Sequence, residues 1–369
     1  MTLKKTLFTP GPLTTSRNVR MSMIYDYGSR EINFINLTHK IRSRLLKLTN
    51  LCDSHTVVPI QGSGTFAIES IITSLIASNQ KLLILINGAY GRRMHEIAKR
   101  AKIETVILEC EENITFDLDM IKETLIENKE INFVAMVHCE TTTGVLNQLN
   151  EIAKLVKSLS RKLIVDAISS FGAVPIDFIQ TPITALAFSS NKGLESVPGL
   201  AFVLVEIEHI RKCEGLSNSV SLDLYEQWKE FESSGQWRFT PPVQVVLALD
   251  KALDCLEKEG GIEKRHKRYS KNAQNIISGM NNLGFKSHVR SALQSPIIIT
   301  FLLQDMLPFS FTELYNYLYS NNLVIYPGKL TKLNSFRIGC IGQITDKDIK
   351  RLIFLTRKFL ISKNYSISP

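Results

Sequence analysis

Phe188-Ser-Ser-Asn-Lys192-Gly-Leu-Glu-Ser-Val-Pro198-Gly199 sets a lysine in a small polar turn between two apolar runs, residues 185–188 and 201–205. Taken alone, Lys192 reads as a surface-loop lysine, since such side chains are rarely buried. The flanking runs argue otherwise. Both have strand length and aliphatic composition, so the turn joins two buried strands and holds its lysine at the edge of a core. An amine whose pKa is lowered by partial burial and a nearby cation can form an imine with an aldehyde cofactor.

Outward from this turn, short apolar runs at 82–86, 105–108, 133–137 and 163–165 join 185–188 and 201–205 as predicted strands, each expected to be buried on both faces. Segments with apolar residues at three- and four-residue spacing predict crossover helices over 66–77, 92–101, 118–127 and 151–159. This alternation implies an α/β fold with a mostly parallel sheet. After Pro241 and Pro242 a long helix is predicted to end at Gly260 and Gly261. A helix at 269–283, a strand at 296–301, a helix at 311–320 and strands near Val324 and Phe336 then predict a smaller α/β lobe.

The chain has 369 residues, 44% of them hydrophobic, enough for a large core. Its formal charge of +9 is spread along the chain, and the interleaved charges of 257–268 read as helix faces, so no nucleic-acid partner is expected. No apolar stretch reaches the roughly 20 residues of a membrane span, and the first residues lack a secretory pattern. A globular cytoplasmic protein without a membrane partner is expected. Cys52, Cys110, Cys139, Cys213, Cys255 and Cys340 lack paired spacing and read as buried reduced thiols. No metal is expected: His138-Cys139-Glu140 carries ligand-type side chains, but neighbours along a strand point to opposite faces.

Four further segments carry chemistry. Ile164-Val-Asp166-Ala-Ile-Ser-Ser170 puts a carboxylate at the carboxyl end of a strand, where ligands bind in open α/β sheets. There it suits a pyridinium nitrogen, which it would keep protonated, or equally the start of a helix. Gln61-Gly-Ser63-Gly64-Thr65 opens a helix with small and hydroxylated residues, as a phosphate cradle or an ordinary turn does. Asn87-Gly-Ala-Tyr90-Gly offers a ring for stacking, or a core tyrosine. Phe336-Arg337-Ile-Gly offers a guanidinium fork for a carboxylate or phosphonate, or a surface ion pair.

Taken in order with Thr9-Pro-Gly-Pro-Leu-Thr-Thr-Ser16, His138-Cys-Glu-Thr-Thr-Thr-Gly144, Leu222-Asp-Leu-Tyr225, Trp237-Arg-Phe-Thr-Pro241 and Val324-Ile-Tyr-Pro-Gly-Lys329, these segments make a pattern. The chain resembles, nearly end to end, the fold-type I pyridoxal-phosphate enzymes of aminotransferase class V. Among them it is most similar to the family that moves an amino group between 2-aminoethylphosphonate and pyruvate. The resemblance implies a large domain over 15–250 with a mostly parallel seven-stranded sheet between helices. It also implies a small C-terminal α/β domain over 251–369, with residues 1–14 lining the active-site mouth.

Carried over, it implies pyridoxal 5'-phosphate joined to Lys192, with Asp166 at the ring nitrogen and Tyr90 stacked on the ring. Ser63, Gly64, Thr65 and Asn191 would lie near the phosphate, and Thr142 near the phenolic oxygen. Thr240 would reach the phosphate in a neighbouring subunit, which implies a homodimer. Arg337 would hold the acidic group of the substrate. Gly193 to Ser196 is more acidic than the family pattern, and Thr65 stands where serine is frequent. Alanine:glyoxylate or serine:pyruvate aminotransferases and aminophosphonate ammonia-lyases share the fold and remain alternatives.

Overall fold

The computed structural model describes residues 5–303, 308–331 and 333–365. Seven strands form the main sheet: β1 (His55–Gln61), β2 (Lys81–Ile86), β3 (Glu104–Glu109), β4 (Ile131–Val137), β5 (Lys162–Asp166), β6 (Ala185–Ser189) and β7 (Leu200–Glu206). Their spatial order is β1-β7-β6-β5-β4-β2-β3. β7 is antiparallel to both of its neighbours, and the remaining pairs are parallel. The double reversal at β7 leaves β1 pointing the same way as β6. The carboxyl ends of β1, β2, β4, β5 and β6 therefore share one edge of the sheet, and that edge carries the site.

The six strands read from sequence are all present, and β1 is the addition. Its run contains Pro59, which cannot donate to a ladder. The strand tolerates it at the sheet edge, where it pairs with β7 alone. β3 lies at the other edge and is not buried on both faces as expected. Glu104 and Glu109 are exposed, as is Ile107 at 41%, because no strand lies beyond them.

Helices cover both faces of the sheet. In chain order they are α1 (Ile32–Lys47), α2 (Gly64–Leu75), α3 (Ala89–Arg100), α4 (Leu118–Glu127) and α5 (Leu149–Ser158). α4 keeps its predicted limits, fixed by Asp117, whose side chain accepts from the Asp119 N–H. α2 and α3 begin earlier than predicted, directly off the strand ends. α1 was not anticipated: its Phe34, Ile41 and Leu45 join Phe171, Phe188 and Leu249 on one face of the sheet. Ile68, Ile71 and Met94 pack on the other.

α6 (Leu224–Ser234) precedes the long helix α7 (Val243–Glu259), which stops at Gly260 in the left-handed conformation, φ 98°. α8 (Gly261–Asn281) resumes at the very next residue, well before the predicted 269. Strands β8 (Ile298–Leu302), β9 (Tyr326–Pro327) and β10 (Ser335–Gly339) form a small antiparallel sheet in the order β8-β10-β9. It packs with α8, α9 (Phe311–Ser320) and α10 (Asp346–Ser362) through Ile276, Phe301, Leu314, Phe336 and Phe359. α9 keeps its predicted span, and α10 is an addition. Both start in capping boxes, Ser310 with Glu313 and Thr345 with Asp348.

The six cysteines are unpaired. Cys139, Cys213 and Cys340 are buried as expected, but Cys52 is exposed and Cys110 and Cys255 are half-buried, Cys52 because it falls in the turn after α1. Among the described residues no helix is long and apolar enough to cross a membrane.

Phe188, on the last turn of β6 before the lysine segment, stacks on Phe171 at 4.0 Å and on Phe202 at 5.2 Å between ring centroids and is fully buried. Truncating a buried phenylalanine leaves a cavity the neighbours cannot fill. Phe188→Ala is expected to cost about 3–5 kcal/mol in denaturant unfolding.

Candidate active site

A cavity of about 220 Å³ opens on the shared strand edge. It is lined by Ser63, Gly64 and Thr65 after β1, Tyr90 and Arg93 of α3, Asp166 and Ile168 after β5, and Asn191 and Lys192 after β6. Residues more than a hundred positions apart meet here because their strands are parallel.

Lys192 enters through the turn between β6 and β7. Its Nζ donates to the Pro10 carbonyl at 2.8 Å and to that of Gly11 at 3.3 Å, so these two residues of the 1–14 segment, of which 1–4 fall outside the described residues, lie against the lysine. Gly11 has φ +119°, and a Cβ there would come within 2.4 Å of the lysine Cδ. Glycine makes that approach possible. Burial pushes the amine down to about 8; Asp166 partly opposes the shift, while Arg337 and Lys329 reinforce it.

Asp166 is the last residue of β5. No helix follows it, so it is not a helix cap. One carboxylate oxygen instead accepts from the Ile168 N–H at 2.9 Å. Burial pushes its pKa up to about 7, against that hydrogen bond. An acid held there gains from any cation placed beside it.

At the other end of the cavity Ser63 is the N-cap of α2, yet its side chain makes no capping bond. The first N–H groups of α2 thus face the cavity with the positive end of the helix dipole, a ready anion site. Gly64 is in close quarters, since a Cβ would meet the Ile168 side chain at 2.5 Å. Arg93 adds a guanidinium, donating to Thr65 Oγ1 at 3.1 Å and lying 4.9 Å from the Tyr90 ring centroid.

Arg337, on β10, is 3% exposed. Its Nε donates to the Pro327 carbonyl at 2.9 Å and its Nη1 to the Thr141 carbonyl at 2.8 Å. No carboxylate among the described residues forms an ion pair with it. Its pKa is lowered chiefly by burial. It is therefore not a surface ion-pair arginine but a buried cation without a counter-ion.

Three expected residues lie off the cavity wall, and Arg337, buried on β10, is one of them. Thr142 is buried and donates to Glu140 at 2.6 Å, while Thr240 is exposed in a separate groove with Arg30, Trp237 and Phe239. Among the described residues no cluster of His, Cys, Asp or Glu is placed to hold a metal ion.

Two positioning features escaped the sequence reading. Glu140, fully buried, accepts from the Tyr90 N–H at 3.1 Å and the Thr142 N–H at 3.2 Å, capping α3 from outside and fixing where Tyr90 starts. A lone carboxylate beside an apolar strand was its only signal.

The second feature lies within 257–268, where Glu257, Lys258, Glu263, Lys264 and Lys267 are exposed on helix faces as expected but Arg265 is not. Arg265 is fully buried and donates to the Gly193 carbonyl at 2.8 Å, next to Lys192. Glu195, 3% exposed, accepts from Arg268 at 2.7 Å, from Gln343 at 2.6 Å and from Tyr269. Glu259 pairs with both arginines. Burial alone would raise the Glu195 pKa, but Arg265, Arg268 and Tyr269 outweigh it and hold the group ionised. The acidic departure at Gly193 to Ser196 thus anchors the lysine turn to α8 and does not line the cavity.

This is the fold of fold-type I aminotransferases. The model of the class V aminotransferase family matches residues 16–336, and the chain belongs to that family. It is 45% identical over 96% of its length to the bifunctional phosphonoacetaldehyde hydrolase/aminoethylphosphonate transaminase of Clostridioides difficile, of which it spans 56%. It is 43% identical over 94% of its length to the 2-aminoethylphosphonate–pyruvate transaminase of Phocaeicola vulgatus, covering 96% of that protein. Among solved structures it superposes on pyridoxamine–pyruvate aminotransferase of Mesorhizobium loti with a TM-score of 0.91 at 23% identity, covering 99% of this chain and 94% of that one, a likeness of fold.

Glu195→Ala strands Arg268 and Arg265 in a buried setting with one carboxylate between them. It is expected to destabilise the protein by about 3–5 kcal/mol in denaturant unfolding.

Proposed function

We propose that the chain is a pyridoxal-phosphate-dependent aminotransferase that converts 2-aminoethylphosphonate and pyruvate to phosphonoacetaldehyde and L-alanine. The observation that carries this reading is Arg337, a buried guanidinium whose charge is felt at Lys192 and which forms no ion pair with a carboxylate among the described residues. A charge so placed is costly until an anion pairs with it. Both substrates bring one, and a guanidinium fork can grip a phosphonate or a carboxylate through two parallel bonds. The named activity of the relatives supports the choice of donor.

The residues present fit the cofactor. Lys192 offers a buried amine, Asp166 a carboxyl group with room for a cationic ring nitrogen, and the start of α2 an unpaired set of phosphate donors. Ser63, Gly64, Thr65 and Asn191 would hold its phosphate and Tyr90 would cover its ring, while Thr142, whose hydroxyl is given to Glu140, would have to turn from that partner to reach its phenolic oxygen. Thr240, exposed and in a different groove, serves the cavity of a second copy, which makes the working unit a homodimer. When bound, pyridoxal phosphate supplies an aldehyde that captures amines and a ring that takes up the electrons of a broken C–H bond.

The protein supplies the proton chemistry and the positioning. Lys192 Nζ, once freed by the incoming amine, would take the proton from the substrate carbon and pass it to the carbon that was the cofactor's aldehyde, and in the second half-reaction would carry one from there back to the pyruvate-derived carbon. Its lowered pKa suits both directions, because an amine near neutrality gives and takes protons readily. Asp166, ionised when a ring cation lies against it, keeps the ring nitrogen protonated. Arg337 holds the acidic end of each substrate so that the amino-bearing carbon faces Nζ. Glu140, by fixing Tyr90, and the Glu195 network, by fixing the lysine turn, keep these groups in register.

The test is alanine formation, followed by proton NMR, from purified protein, pyridoxal phosphate, pyruvate and 2-aminoethylphosphonate. Alanine should appear only with both substrates, and Lys192→Ala should abolish it together with the visible absorbance of the bound cofactor. Release of ammonia without any need for pyruvate would point to a lyase instead. Because the neutral amine is the capturing form, the rate at which cofactor absorbance develops in cofactor-free protein should rise with pH through about 8 and level off above it.

A further inference from the structure

One face of α3 turns toward the cavity. Tyr90, Arg93, Met94 and Ile97 all line it, at the i, i+3, i+4, i+7 spacing of a single helical stripe. Glu140 fixes where that stripe begins by accepting from the Tyr90 N–H at 3.1 Å. Arg92, one residue before Arg93, is committed elsewhere, pairing with Glu109 at 2.8 Å and with Glu112 at 3.0 Å. Arg93 has no carboxylate partner among the described residues. It shares the cavity wall with one other cationic side chain, Lys192.

We propose that Arg93 is the counter-charge for the cofactor's phosphate, holding it against the start of α2 in concert with Thr65. This rests on the aminotransferase reading above and adds a cofactor-affinity residue to it.

Charge balance and geometry support the assignment. A phosphate monoester carries about 1.5 to 2 negative charges at neutral pH. Ser63, Gly64, Thr65 and Asn191 are neutral, and a helix start supplies roughly half a positive charge. These groups alone leave a full negative charge uncompensated. Arg93 reaches the same end of the cavity: its Nη1 donates to Thr65 Oγ1 at 3.1 Å, on the second residue of α2. Its guanidinium also lies 4.9 Å from the Tyr90 ring centroid, where the ring face steadies a cation. Because Thr65 Oγ1 accepts from Arg93, the hydroxyl keeps its own proton for an anion. The guanidinium fork keeps further N–H groups for phosphate oxygens.

The experiment is titration of cofactor-free protein with pyridoxal phosphate and, separately, with pyridoxal, which has the same ring and aldehyde but no phosphate. Wild type, Arg93→Gln and Arg93→Lys are compared by visible absorbance. For Arg93→Gln the Kd of pyridoxal phosphate should rise about tenfold, near 1.4 kcal/mol, while the Kd of pyridoxal stays within about twofold of wild type. Inorganic phosphate should compete with pyridoxal phosphate about tenfold less effectively in Arg93→Gln than in wild type. Arg93→Lys, which keeps the charge but not the fork, should fall between the two. Arg93 is exposed, and retained pyridoxal capture verifies that each variant is folded. An unchanged Kd of pyridoxal phosphate in Arg93→Gln overturns the assignment, and a raised KM for 2-aminoethylphosphonate beside it would give the guanidinium to the substrate. Equal rises for pyridoxal phosphate and pyridoxal also overturn it, since a side chain that merely props Thr65 and Tyr90 would weaken both. Wild-type protein that captures neither compound removes the cofactor reading as well.

Discussion

Two opposite charges buried at the ends of neighbouring parallel strands organise this molecule. Lys192 leaves β6 and Asp166 ends β5, and water is largely withdrawn from both. Each group is pushed by burial toward its neutral form, the amine down to about 8 and the carboxyl up to about 7. Their values thus converge near neutrality, where small changes in surroundings move protons. Such a pair is expensive in an apolar core and is retained where chemistry needs it.

Much of the rest is support for that pair. The reversed strand β7 returns β1 to the common direction and so brings the α2 anion cradle to the lysine. The turn that carries Lys192 has little secondary structure of its own. It is held by Arg265 on the Gly193 carbonyl and by Glu195 locked among Arg268, Tyr269 and Gln343. Those partners come from α8 and from the loop before α10, so the C-terminal elements set the lysine's position as well as that of Arg337. On the opposite wall Glu140 plays the corresponding part for Tyr90.

The cation distribution gives the cavity its chemical character. Arg93 lines it from α3 and Arg337 lies buried on β10, neither matched by an ion pair among the described residues. An anionic cofactor and an anionic substrate would neutralise what the protein leaves open. The overall charge of +9 is a separate matter, for many of the other cations are engaged in surface pairs such as Arg44 with Asp250 and Arg92 with Glu109.

The strands and crossover helices around Lys192 were legible in the sequence because their apolar runs and three-to-four spacing are local signals, and a buried parallel sheet amplifies them. Asp166 and the Ser63 turn were legible as strand-end positions, though their meaning needed the company of Lys192. What sequence could not supply was the outcome of long-range pairing. β1 was hidden by Pro59, and β3 proved exposed because edges depend on strand order. Within 257–268 the charges stay on helix faces except for Arg265, with Glu259 and Arg268 beside it, which become an anchor only where α8 meets the lysine turn. Helical periodicity shows which residues share a face, but only packing decides whether that face meets water or a partner. The same limit applies to Arg337: its side-chain chemistry is written in the chain, and its burial follows only from the pairing of β10 with β8 and β9.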